Sequence, residues 1–218
     1  MTSLRPILST EQATAGHWPI GAIRALPAKV RKFGYVPDEQ HFRAGDVLLI
    51  RGANIVACLI NKIQSRAGFH QEHAYWTHAA LYIGRGRLIE ATPFGGVRLA
   101  MLSLATFQSK LLVRRVPDLS ESRGKDVAFE ALTLLHRGYS LAAVPALAWQ
   151  ASIGALWRPH KVRDTRTATI CSTVVNSAYS ASIATDLVPG VEGTIWPADL
   201  SETRELRDVT VGWMKLSA

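Results

Sequence analysis

Hydrophobic and polar positions change period several times along this chain, and the changes mark out its elements. Residues 1 to 40 hold no sustained period and are punctuated by Pro6, Pro19, Pro27 and Pro37, although residues 20–33 have the spacing of a short basic amphipathic helix. A regular pattern starts near Phe42, where Gly45-Asp46 reads as a turn and Val47-Leu48-Leu49-Ile50 as a buried strand. Residues 54–64 have helical spacing, with Asn54 as N-cap and Gly68 just past the end. The clearest hairpin joins residues 78–83 to 87–91 through Gly84-Arg85-Gly86. Alternation puts His78, Ala80 and Tyr82 on one face of its first strand and Ala79, Leu81 and Ile83 on the other, so the histidine face reads as small, polar and open to a substrate.

Gly95-Gly96 announces another turn and short strand, and residues 111–116 a further strand stopped by Pro117. Residues 120–136 are helical, with Ala128, Ala131, Leu132 and Leu135 on one face and Gly138 as C-cap. Residues 171–184 form a helix rich in Ala, Val and Ser. An early helix, consecutive strands and then helices predict an α+β fold rather than alternating βαβ units.

Composition narrows this picture. With 218 residues, 48% hydrophobic and 19% charged, the chain can build one substantial core and is not disordered. The expected division is an N-terminal extension over residues 1–41 and one domain over 42–218, carrying an apolar helical insertion near 139–160. Residues 139–157 contain no charged side chain, but Pro145, Gln150, Ser152 and Gly154 interrupt them. A buried helical hairpin, or an apolar lid against lipid, therefore fits them better than a membrane span. The balance of 25 Lys and Arg against 17 Asp and Glu gives a charge of +8 and points to anionic partners. Basic clusters at residues 29–32, 114–115 and 158–166 lack aromatic interleaving, and no helix-turn-helix or zinc-finger pattern occurs, so nucleic acid is not an expected partner. The first residues lack the pattern of a signal peptide, which makes a cytoplasmic location the expectation, with peripheral membrane contact through the basic N-terminal segment as a further reading.

Candidate chemistry is concentrated in a few residues. Two cysteines, Cys58 and Cys171, make no disulfide framework and no zinc pair. Cys58, inside an apolar helical run, reads as a small buried hydrophobe. Cys171 stands at a predicted helix start, where unpaired N–H groups and the helix dipole favour a thiolate, with Thr169 and Ser172 as capping side chains. His78 has the open strand setting; His17, His41, His70, His73, His136 and His160 do not. His70 and His73 with Glu72 match no specific metal spacing, so neither metal nor cofactor is expected. Glu90, a carboxylate in an apolar run, is either a solvent-facing strand residue or a partner for His78 across the hairpin.

Taken in order, Gly45-Asp46-Val47-Leu48-Leu49, Trp76-Thr77-His78-Ala79-Ala80-Leu81-Tyr82-Ile83-Gly84, Leu88-Ile89-Glu90-Ala91, Gly95-Gly96-Val97 and Ile170-Cys171-Ser172 resemble the circularly permuted papain-like family. This is the YiiX/YaeF-like branch of the NlpC-type cysteine peptidase superfamily, related to lecithin–retinol acyltransferase. Gly138-Tyr139 and Trp196-Pro197-Ala198-Asp199-Leu200 are similar to its later landmarks. In ordinary papain-like enzymes the cysteine helix comes before the histidine strand; in the permuted group the histidine comes first, as it does here. The resemblance implies an antiparallel sheet or partial barrel packed against helices, with Cys171 as nucleophile, His78 as base and Glu90 as the polar third residue. It implies a cysteine amidase or peptidase-type hydrolase, or an acyltransferase, that cleaves an amide or ester through a thioester. The Cys171 N–H is the expected oxyanion donor, with Tyr82 or Tyr75 as a second. The substrate that the resemblance implies is a cell-wall peptide or a lipid-linked amide or ester, and the apolar segment with six tryptophans tilts the choice toward an acyl chain. The alternatives are a catalytically inert papain-like domain that binds lipid or a protein partner, and a peripheral membrane protein.

Overall fold

Turn signals at the centre of the chain decide how its strands meet. The computed structural model describes residues 26–52, 54–93, 95–138, 170–191 and 194–216, and the backbone of residues 14–16. In chain order the elements are β1 (Thr14–Gly16), α1 (Ala28–Phe33), β2 (Tyr35–Pro37), β3 (Val47–Arg51), α2 (Ile55–Arg66), α3 (Gln71–Ala74), β4 (His78–Gly84), β5 (Arg87–Thr92), β6 (Gly96–Met101), α4 (Leu102–Ala105), β7 (Lys110–Arg115), α5 (Glu121–Thr133), α6 (Cys171–Ile183), α7 (Pro197–Glu202), β8 (Arg207–Val209) and β9 (Trp213–Leu216). A six-stranded sheet runs β6-β5-β4-β3-β7-β8 with every neighbouring pair antiparallel. A smaller sheet, β1-β9-β2, joins early and late strands. The fold is α+β, with helices packed on antiparallel sheet, as the order of elements predicts.

Both faces of the large sheet are covered, which explains why β3 is a continuous apolar run. On one face Leu49, Ala79, Leu81 and Ile89 pack against Val127 and Ala131 of α5 and Val174, Val175 and Ala178 of α6. On the other, Leu48, Ile50, Ala80, Tyr82 and Leu88 pack against Phe42, Leu102 and Trp213. The expected open polar face on β4 is thereby corrected. Ala80 and Tyr82 are sealed in the second core, and of the three only His78, the first residue of the strand, is partly exposed.

The turn into β3 requires glycine: Gly45 has φ +94°, and a Cβ there would lie 2.9 Å from Leu119 and 3.2 Å from the Tyr179 hydroxyl. Asn54 caps α2 as expected, its side chain accepting from the Ala57 N–H at 2.8 Å. Cys58, however, lies exposed on the outer face of α2, because Ala57, Ile60, Ile63 and Gln64 occupy the inner one. Ser120 begins α5, accepting from the Arg123 N–H, but the helix ends at Thr133 with a right-handed Leu134. Gly138 is therefore not its C-cap. Of the helix expected over residues 20–33, Ala28–Phe33 is helical. Residues 20–25, the apolar segment at 139–157 within the expected 139–160 insertion, and the basic cluster at 158–166 lie outside the described residues. Among the described residues no helix is long and apolar enough to cross a membrane.

Candidate active site

Glu90 occupies the middle of β5, with Ala80 of β4 as its register partner on one side and Arg98 of β6 on the other. His78 lies two positions before Ala80, so it is the diagonal neighbour of Glu90 on the same face of the sheet. The small Ala80 side chain leaves the carboxylate free to lean toward the ring. Glu90 Oε2 meets His78 Nε2 at 2.9 Å, and Oε1 accepts from Arg98 Nε at 3.0 Å and Nη2 at 2.7 Å. The Glu90 side chain is only 6% exposed, and occupation of both oxygens is what makes that burial tolerable.

Cys171 arrives from the other direction. It is the first residue of α6, which lies across β4 and β5 through Val174, Val175 and Ala178. The N-cap, Ile170, offers no side-chain acceptor, and the Ser172 hydroxyl donates to the Ile195 carbonyl instead of capping the helix. Thr169, the other expected cap, is outside the described residues. The first N–H groups of α6 are thus left without a side-chain cap. The His78 ring and the N–H groups of Ala79 and Ser172 are the groups that favour negative charge on the Cys171 sulfur. With Nε2 held by Glu90, Nδ1 is the ring nitrogen that remains for the thiol.

These contacts set the proton equilibria. Burial pushes the Cys171 thiol up, but the hydrogen bond and charge of His78, with the two N–H groups, bring it below its ordinary value. For His78, burial favours the neutral ring; hydrogen bonds with Cys171 and Glu90 and the charges of both outweigh it and push the group up to about 10. Burial raises Glu90, yet His78 and Arg98 hold its carboxyl down to about 2. The three shifts together favour a thiolate beside an imidazolium.

A cavity of about 890 Å³ opens over these groups, lined by Cys171, His78, Glu90 and Arg98. Val56 and Ile60 of α2, with Leu104 and Phe107, give it an apolar wall. Tyr82 and Tyr75 do not line it. The Tyr82 hydroxyl accepts from the Gly86 N–H at 3.2 Å, and its ring packs on Phe42 at 5.1 Å between centroids. Tyr75 meets Trp76 edge-on at 5.2 Å under the Arg51 guanidinium. The structure brings neither phenol to the thiol; backbone N–H groups are the donors found there. His73 is also elsewhere, with Nδ1 3.0 Å from Ser201 Oγ. Arg98 was not singled out from the sequence. The signal for it is register: pairing of Thr92 with Gly96 pairs Glu90 with Arg98, opposite charges directly across the ladder.

Neither the protein-family models nor the curated proteins contain a match to this sequence. Among solved structures, the chain resembles the crystal structure of the metalloprotein yiiX from Escherichia coli O157:H7, with a TM-score of 0.58 at 16% identity over 78% of this chain and 97% of that one. At that identity the likeness is one of fold: antiparallel sheet packed against helices, in the manner of yiiX.

Proposed function

We propose that this chain is a cysteine-dependent hydrolase of the permuted papain-like type, cleaving an amide or ester bond through a thioester on Cys171. The observation that carries this reading is the Glu90–His78 pair sharing one cavity with Cys171, which stands at an uncapped helix start. The order of the chain supports the permuted assignment, since the histidine strand β4 precedes the cysteine helix α6.

In the proposed reaction the Cys171 thiolate attacks the carbonyl carbon, and the carbonyl π electrons move to oxygen. The Cys171 N–H at the uncapped helix start receives that oxyanion. Collapse of the tetrahedral intermediate expels an amine or alcohol, which takes the proton from His78 Nδ1 and leaves a thioester. The neutral ring then draws a proton from water as the water attacks the thioester, releasing the acid and restoring thiolate and imidazolium. Glu90 fixes the ring's tautomer and stabilises its charged form. The apolar wall of Val56, Ile60, Leu104 and Phe107 favours an acylated substrate over a cell-wall peptide.

The structural neighbour is called a metalloprotein. Here Glu90 already holds His78 Nε2, and among the described residues no group of three His, Cys, Asp or Glu could hold a metal ion. These residues do not fit a metal, and no step is routed through one. The test is incubation with a decanoyl p-nitrophenyl ester followed by peptide mass spectrometry. Acyl label on the Cys171 peptide, absent with the loss of turnover in Cys171→Ala, is expected; equal turnover by that variant contradicts the proposal.

A further inference from the structure

Arg98 uses only part of its guanidinium on Glu90. Nε and Nη2 together grip Oε1, which occupies the side edge of the plane. The remaining N–H groups, two on Nη1 and one on Nη2, include the end-on pair whose spacing matches two oxygens of a carboxylate or phosphate. Among the described residues Arg98 makes no hydrogen bond other than those to Glu90. Its side chain is 54% exposed and lines the cavity.

Neighbouring residues keep that edge accessible. At Gly95 a Cβ would lie 3.3 Å from Arg98 Cδ and 3.6 Å from Nη1, so glycine leaves the space over this end of the guanidinium clear. Glu90 is the only acid among the described lining residues, and both its oxygens are committed. An entering anion therefore meets Arg98 with no unneutralised carboxylate beside it. Arg98 and His78 grip the same carboxylate, which places the free edge one carboxylate away from the reacting pair.

We propose that the substrate carries a carboxylate or phosphate close to its scissile carbonyl and that the end edge of Arg98 binds it. This rests on the hydrolase reading above and names its substrate class: an amphiphile with an acyl chain on the Val56, Ile60, Leu104 and Phe107 wall and an anionic head on Arg98.

The test separates binding from chemistry. Full-length Cys171→Ala is titrated calorimetrically with N-decanoylglycine, decyl phosphate and the neutral N-decanoylglycinamide. At least one anionic probe is expected to bind roughly tenfold or more tightly than the neutral one. A tighter N-decanoylglycine assigns the head as carboxylate, and a tighter decyl phosphate assigns it as phosphate. The advantage is expected to vanish when Arg98→Ala is added and to shrink with Arg98→Lys, which keeps the charge but loses the planar fork. Equal binding of neutral and anionic probes overturns the proposal, as does an advantage that survives Arg98→Ala. The neutral-probe comparison needs no Arg98 variant, so it decides even if Arg98→Ala fails to fold. Because these titrations need no turnover, the two failures are distinguishable: a failed thioester assay beside an Arg98-dependent charge preference removes the hydrolase reading and leaves an anion-binding cavity, whereas turnover without charge preference removes this proposal alone.

Discussion

His73 and His78 each stand between a carboxylate and a Ser or Cys side chain, yet the two sets can do very different things. His73 Nδ1 is 3.0 Å from Ser201 Oγ, and its Nε2 is 3.6 Å from Glu72. His78 has Glu90 at 2.9 Å on Nε2 and shares its cavity with the Cys171 thiol. Ser201 is fully buried where α7 meets α3, so no substrate reaches its hydroxyl, and Glu72 is 41% exposed, so its charge is screened by water. Glu90 is enclosed and Cys171 lines a cavity. The first set ties two short helices together; the second has access and a displaced proton equilibrium. In the proposed mechanism, reactivity follows from surroundings more than from residue types.

The largest expected difference between the two sets is in turnover. Cys171→Ala should lower kcat/KM by at least about a thousandfold, whereas Ser201→Ala leaves it unchanged. His78→Ala should cost about 10²–10⁴-fold in kcat, and Glu90→Gln roughly 10–100-fold, because the ring loses its anionic partner but keeps its position. A comparable loss of kcat in His73→Ala would erase the distinction.

Stability should show the reverse contrast on a smaller scale. His73→Ala removes a buried hydrogen bond to Ser201 and should cost about 1–3 kcal/mol in urea unfolding, with kcat/KM intact. The remaining contrast is in pH dependence. The folded chain holds Glu90 at about 2 against an ordinary 4.5, so the stability this residue contributes is present above 4.5 and is lost as pH falls toward 2. His78, raised from 6.5 to about 10, contributes stability that is complete below 6.5 and is lost as pH rises toward 10. Unfolding midpoints of wild type and Glu90→Gln should converge at the acid end, and those of wild type and His78→Ala at the alkaline end.

Much of the sheet was legible because its signals are local. The apolar run of β3, the glycines between β4 and β5, and Asn54 before α2 each act within a few residues. The order of His78, Glu90 and Cys171 was legible as well, since it needs no geometry. What covers each strand face was not. Alternation places Ala80 and Tyr82 with His78 but says nothing of Phe42, Leu102 and Trp213, which arrive from distant parts of the chain to bury them. The same ignorance of packing direction turned Cys58 outward and took Ser172 to Ile195. Arg98 depended on the length of one turn, where a shift of a single residue changes every cross-strand partner.

In the proposed mechanism His78 activates Cys171, and the exposed Cys58 serves as an internal comparator. Competitive alkylation by limiting iodoacetamide at about pH 6, where an unassisted thiol is almost wholly protonated, is read as label on the two cysteine peptides. Cys171, although buried, is expected to be labelled faster than Cys58 in the wild-type chain, and His78→Ala is expected to reverse the order. Faster labelling of Cys58 in both proteins would contradict it.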